Sequence, residues 1–222
     1  MLNLTNAVFS SININKLALA HYSEQGANQL PHIRRVVLDA AKVCRRLELP
    51  FTQEVELAAV LHDCGKGRPE LRQYADHGVA SAVLAWFILN RSGLDVDTGK
   101  ICEAIADHCQ FGSRPCSSLS AILRVADAGE PSVGFYARKS VAYCRRRGMP
   151  DTAAWDNAFG RIKQGLMCLG YGDKISFPEY TEVYSREIKK ALDDASSLRS
   201  PADIADIIRE YEASDCCLPA DC

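Results

Sequence analysis

No apolar run in this chain of 222 residues is long enough to cross a bilayer; the longest, Val79 to Leu89, is about half of what a spanning helix needs. Nor is there an excess of charge of one sign. Lys and Arg number 26 against 28 Asp and Glu, a net charge of −2, so no global attraction to nucleic acid or to an anionic membrane is expected. Between Met1 and Ile14 no basic segment precedes an apolar stretch, so a secretory signal is not expected and a cytoplasmic location is. Ten cysteines are present, yet no two stand as Cys-x-x-Cys, which removes the strongest zinc-site spacing. They read as reduced thiols, several at apolar helical positions where cysteine acts as a small hydrophobe, with Cys216, Cys217 and Cys222 in a loose terminal segment. Alternating strand patterns, internal repeats and low-complexity linkers are missing as well.

What is present is helical periodicity, and the fold class it predicts is all-α. Ile33, Val36, Val37, Ala40, Cys44 and Leu47 follow the i, i+3, i+4 rule up to Pro50. Thr52 is placed to cap a second helix through Val55, Ala58, Ala59 and Leu61 that stops at Gly65. A third carries Val79, Val83, Leu84, Phe87 and Ile88 and closes at Gly93. A fourth carries Ile101 and Ile105, and a fifth, capped by Ser117 or Ser118, carries Leu119, Ile122, Leu123 and Ala126 up to Gly129. Further helices are expected over about 135–147, from Trp155 through Phe159 and Ile162 to Leu169, over about 179–192, and briefly after Pro201. Gly148 and Pro150 mark a seam, which divides the chain into an N-terminal extension (1–30), a helical core (31–148) and a helical C-terminal extension (149–222).

The chain has five histidines, and four of them fall at helix ends. His32 follows Pro31 at the start of the first helix, His62 and Asp63 end the second, His77 opens the third and His108 ends the fourth. The ends of several helices can meet at one cavity of a bundle and donate a ligand or two each. His108 lies at i+7 from Ile101, and Asp127 at i+8 from Leu119, so both point along apolar stripes. An Asp on a buried stripe is costly unless it is paired or holds a cation. Imidazole and carboxylate together suit iron, manganese, cobalt, nickel or zinc. His21 lies apart from this set and reads as structural or exposed.

The stretch LAAVLHDCGKG resembles the signature of the HD superfamily, helical bundles built around a divalent metal. HIRRVVLDA resembles that family's first His motif and ILRVADAGEP its distal Asp motif; the likeness covers roughly His32 to Pro131. It implies an HD-domain helical bundle with His32, His62, Asp63 and Asp127 as ligands of one metal. DHGVASAVLA and AIADHCQFGSRP are similar to motifs of the two-metal branches, which implies a second metal on His77 and His108 with Asp63 bridging. The whole pattern looks most like the bacterial HD enzymes that hydrolyse diadenosine tetraphosphate symmetrically. It departs from the cyclic-di-GMP branch, because Cys109, Gln110 and Phe111 follow His108 where that branch has Gly-Tyr-Pro, and it lacks the Glu-Asp motif of the alarmone hydrolases.

The expected function is metal-dependent hydrolysis of a phosphoanhydride or phosphoester in a small phosphorylated substrate, a dinucleoside polyphosphate or mononucleotide, by metal-activated water. One or two divalent transition-metal ions are expected, with His62, Asp63 and Lys66 as catalytic residues. Lys66, three residues beyond Asp63, leads the cations available to a phosphate, followed by Arg114 and Arg138. Arg68 and Arg124 also lie near the motifs, and Arg145, Arg146 and Arg147 read as an exposed basic turn. Two other classes use the same ligand set: a metal- and nucleotide-binding sensor without turnover, and a di-iron oxygenase. An oligomer is compatible with the sequence; no membrane or nucleic-acid partner is expected.

Overall fold

The computed structural model describes residues 30–74, 76–110, 113–163 and 178–215. The chain divides into two compact units, one ending at Gly129 and one beginning at Glu130. Among the described residues there are nine α-helices and no strand, the all-α class that the periodicity predicts. No helix among them is long and apolar enough to cross a membrane.

The first unit contains α1 (Leu30–Arg46), α2 (Gln53–Leu61), α3 (His77–Ser92), α4 (Thr98–Asp107) and α5 (Ser118–Ala128), with a 3-10 turn at Pro69–Leu71 between α2 and α3. Ile33, Val36, Val37, Ala40, Val43 and Cys44 form the buried stripe of α1. Helix α2 differs. Val55 and every residue from Leu57 to Leu61 are buried, so this helix is apolar on all sides and lies at the centre, packed against α1, α3, α4 and α5. Thr52 caps it through the Val55 N–H at 3.5 Å. Ser117 caps α5. Asp76 and Asp97, acids whose capping role the apolar pattern leaves unmarked, cap α3 and α4.

Two glycines decide how closely these helices meet. The backbone of Gly65, just past α2, lies against α3: a Cβ there would stand 2.6 Å from the Ala80 carbonyl carbon and the Ser81 nitrogen. The Gly65 N–H donates to Ser81 Oγ at 3.0 Å, and Cys64 Sγ donates to the Ser81 carbonyl at 3.4 Å. At Gly78, in the first turn of α3, a Cβ would stand 3.0 Å from the Ala106 carbonyl oxygen and 3.1 Å from that of Ile105. The start of α3 therefore sits directly on the end of α4.

The second unit contains α6 (Val133–Arg146), α7 (Asp151–Lys163), α8 (Pro178–Ser197) and α9 (Ala202–Asp215). Helix α6 packs against α7, α8 and α9, and α7 against α8 and α9. The buried row of α7 is Ala154, Ala158 and Ile162, one position off the expected Trp155 and Phe159, because the small alanines allow close packing. Leu166 and Leu169, expected on the same helix, lie outside the described residues. Helix α8 runs past the expected 192 to Ser197 with a non-helical residue at Tyr184, and α9 is a full fourteen-residue helix where a short one was expected.

Gly65→Ala is expected to lower stability by about 1–3 kcal/mol, since the clash is with backbone that cannot rotate away. Gly160→Ala, in α7 with open space around it, is expected to stabilise by about 0.5–1 kcal/mol. Urea unfolding followed by circular dichroism checks both; equal effects of the two substitutions would contradict the packing argument.

Candidate metal centre

Five helices bring six side chains to one place. His32 comes from the first turn of α1, His62 and Asp63 from the end of α2, His77 from the first residue of α3, His108 from the C-cap of α4 and Asp127 from the last turn of α5. The Asp63 carboxylate lies between two pairs of imidazoles. Its Oδ2 is 3.7 Å from His32 Nε2 and 3.6 Å from His62 Nε2, while Oδ1 is 3.4 Å from His77 Nε2 and 3.7 Å from His108 Nε2. Asp127 Oδ1 closes the first group, 3.2 Å from His32 Nε2 and 3.7 Å from His62 Nε2, and those two nitrogens are themselves 3.2 Å apart. The rings step round Asp63 in a row, with centroids 5.2 Å apart from His32 to His62, to His108, to His77.

The donor set fits a divalent cation, and one atom makes the case directly. Asp63 is 1% exposed at its side chain, and its Oδ1 is buried without a hydrogen-bond partner. An unpartnered buried carboxylate oxygen is expensive, and a cation between the flanking Nε2 atoms satisfies it. The deeper histidines are oriented for this. His62 Nδ1 donates to the Ala59 carbonyl at 2.8 Å and His108 Nδ1 to the Ile105 carbonyl at 2.6 Å, each directing its Nε2 lone pair into the site when the ring is neutral. On the first helix, Arg35 Nη2 donates to the Asp127 carbonyl at 3.0 Å and lies 3.1 Å from His32 Nδ1, joining the ends of α1 and α5 beside the site.

Protonation is divided across the centre. Burial pushes His62 down to about 4, against the pull of Asp63 and Asp127, so it is neutral at pH 7. Burial works against charge on His108 too, but the Asp63 carboxylate and Cys109 outweigh it and raise it to about 10. Burial opposes the Asp63 charge as well; His108, His62 and Lys66 overcome it and hold the carboxyl well below its usual range. Lys66 Nζ is 2.5 Å from Asp63 Oδ2, with its side chain still 41% exposed.

The other sequence-predicted cations differ in burial and partners. Arg114 is exposed, Arg138 lies on α6 in the second unit, and Arg68 donates to the Cys64 carbonyl and pairs with Glu70. Arg145, Arg146 and Arg147 are exposed, and Arg145 pairs with Asp151. Arg124 is corrected outright: it is fully buried and offers nothing to a substrate. Its guanidinium donates to Asp107 Oδ1 at 2.6 Å, to the Asp107 carbonyl at 3.0 Å and to the Ser113 carbonyl at 2.7 Å. Ser120 Oγ donates to the same Asp107 carboxylate. His21 and the terminal cysteines lie outside the described residues.

One site residue escaped the sequence reading. Cys109, read there only as one of ten reduced thiols and as the residue after His108, has its Sγ 3.1 Å from His77 Nε2 and 3.3 Å from His108 Nε2. Cys44 is buried on the apolar stripe where it was expected, and Cys64 and Cys144 are buried as well. The available signal for Cys109 was its position next to His108 at a helix end, away from any apolar stripe.

Residues 30–131 match the HD domain family model. The six converging side chains all fall inside the HD match. A solved structure of a predicted HD superfamily hydrolase from an uncultured Thermotogales bacterium is similar to the chain, with 23% identity, a TM-score of 0.48, and coverage of 76% of this chain and 96% of that one. No curated protein matches the chain significantly.

Two outcomes are expected. The folded, metal-free protein protonates His62 only near pH 4, whereas the unfolded chain does so near 6.5. The unfolded state therefore binds more protons between those values. The stabilisation is complete above pH 6.5 and is lost as pH falls toward 4, by on the order of 3 kcal/mol. In chelator-treated protein unfolded with urea at several pH values, His62→Gln should lack this part of the acid slope; identical slopes would refute the neutral, buried imidazole. Separately, Asp107→Ala leaves the Arg124 charge buried and uncompensated and should cost about 3–5 kcal/mol, whereas a substitution at the exposed Arg114 should be near neutral by the same assay.

Proposed function

We propose that the chain is a metal-dependent phosphohydrolase acting on a nucleotide phosphoanhydride or phosphoester, with dinucleoside polyphosphates as the preferred substrate class and mononucleotides next. The observation that carries the reading is Asp63, a buried carboxylate with one oxygen toward His32 and His62 and the other, unpartnered, toward His77 and His108. In this reading His32, His62, Asp63 and Asp127 hold one cation, and Asp63, His77 and His108 face a second. The HD match over 30–131 and the departure from Gly-Tyr-Pro after His108 support it.

When bound, a divalent cation supplies Lewis acidity and makes water a nucleophile near neutral pH. The chain's own residues do the rest. The Nδ1 bonds to backbone carbonyls fix the faces that His62 and His108 present. His62, neutral, offers a lone pair rather than a competing charge. Lys66 keeps Asp63 ionised and oriented through Oδ2; its half-exposed ammonium has further donors for a phosphate oxygen. Arg114 and Arg138 are proposed as additional phosphate partners on sequence grounds alone.

Phosphate release from a nucleotide panel, with manganese added and products separated by chromatography, tests the reading. Dinucleoside polyphosphates or mononucleotides should be cleaved, and chelation or Asp63→Asn should abolish turnover while leaving helical circular dichroism unchanged. Lys66→Met removes an outer partner of a ligand and should cost about 10–100-fold in activity or metal affinity. Cyclic-di-GMP as the best substrate would overturn the substrate assignment, and full activity of Asp63→Asn would overturn the reaction class.

A further inference from the structure

Resting on that reading of the site, we infer that Cys109 is a thiolate ligand of the second cation position, making it a mixed nitrogen, sulfur and oxygen site suited to zinc, cobalt or ferrous iron. Four atoms converge there: Cys109 Sγ, His77 Nε2, His108 Nε2 and Asp63 Oδ1. Sγ stands 3.1 and 3.3 Å from the two nitrogens, and Oδ1 stands 3.4 and 3.7 Å from the same two. An ion at ordinary bond lengths to nitrogen, oxygen and sulfur, in a tetrahedral shell, separates its ligand atoms by about 3.3–3.6 Å. The observed spacings bracket that range. His77, His108 and Cys109 also form a ligand group in their own right, each offering one donor atom within 4.8 Å of the others.

A simple thiol–imidazole contact does not account for the arrangement. One S–H proton cannot serve both Nε2 atoms, and it does nothing for the buried Asp63 Oδ1, which forms no hydrogen bond. His108 has already committed its Nδ1 to the Ile105 carbonyl, which leaves Nε2 for the site, 3.3 Å from the sulfur and 3.7 Å from Oδ1. One cation satisfies all four atoms together. On binding, Cys109 loses its S–H proton to solvent, and no change of oxidation state is involved. Sulfur draws the site toward the softer ions, while the His32, His62, Asp63 and Asp127 group has only nitrogen and oxygen.

The test is optical and independent of turnover. Full-length, metal-stripped protein is titrated with cobalt(II) in a non-thiol reductant, and absorbance is read beside bound cobalt per chain. A near-ultraviolet thiolate-to-cobalt charge-transfer band should appear in the wild type. It should be lost in both Cys109→Ser and Cys109→Ala, and kept in Cys116→Ser, whose cysteine is exposed at the start of α5. Cobalt held by the first group should persist in every variant. Wild-type protein that binds cobalt without the band, or a band that survives loss of Cys109, overturns the inference. Nucleotide hydrolysis without the band removes this inference alone. The band without hydrolysis of any nucleotide removes the phosphohydrolase reading and leaves the ligand assignment standing.

Discussion

The burial of the Asp63 carboxylate is the constraint around which the first unit is arranged. An ionised carboxylate at the centre of a helical bundle is strongly disfavoured unless charge of opposite sign surrounds it. Here the Lys66 ammonium supplies positive charge at one oxygen, and four imidazoles, the neutral His62 among them, line the carboxylate. The position follows from α2, whose apolar residues face every direction, so that the only place for the helix is the interior and its end must deliver His62 and Asp63 there. The cost of the buried charge is divided among the ends of the surrounding helices, which is why the site cannot be assigned to any one element.

Backbone contact then sets the spacing. Gly65 against α3 and Gly78 against the end of α4 remove the side-chain layer that ordinarily separates helices, and they fix how far His62 and Asp63 stand from His77 and His108. Arg124 acts at the other side of the same geometry. It is on α5, three residues before Asp127, and it grips Asp107, the neighbour of His108. Through the 113–120 segment it ties the end of α4 to the helix carrying Asp127, so the ligands on the two elements keep one relative placement. Its charge stabilises geometry rather than a substrate.

The helices of the first unit and the convergence of its histidines were legible because both leave periodic or terminal marks: apolar residues at i, i+3, i+4, and polar ligands beside Gly, Pro and capping residues. Thr52, Gly93 and Ser117 carry local chemistry that needs no tertiary context. Arg124 was not legible. Its burial depends on a carbonyl at Ser113 and a carboxylate at Asp107, acceptors that only the folded turn brings together. Cys109 was hidden for a different reason: cysteine is a frequent core residue, and the search for paired thiols passes over one that shares its site with imidazoles. In the second unit the alanine row of α7 shifts the buried face by one residue, because small side chains win where helices approach closely, a competition that hydrophobicity alone does not rank.

The two halves of the centre share Asp63 but differ in what completes them, and the difference bears on charge as much as on metal choice. Asp127 adds a carboxylate to the half formed by His32 and His62. Cys109, as the proposed thiolate, would add a comparable negative charge to the half formed by His77 and His108. With neutral imidazoles, two divalent cations held by Asp63, Asp127 and an anionic Cys109 would keep a surplus of positive charge, and Lys66 would add to it from a half-exposed position. A protonated Cys109 would leave that surplus larger but would place an S–H where a donor pair is needed. The proposed thiolate would therefore temper the field at the site without reversing its sign, so that a phosphate oxyanion would still be drawn toward the ligands while the cations would be more nearly neutralised by the chain itself.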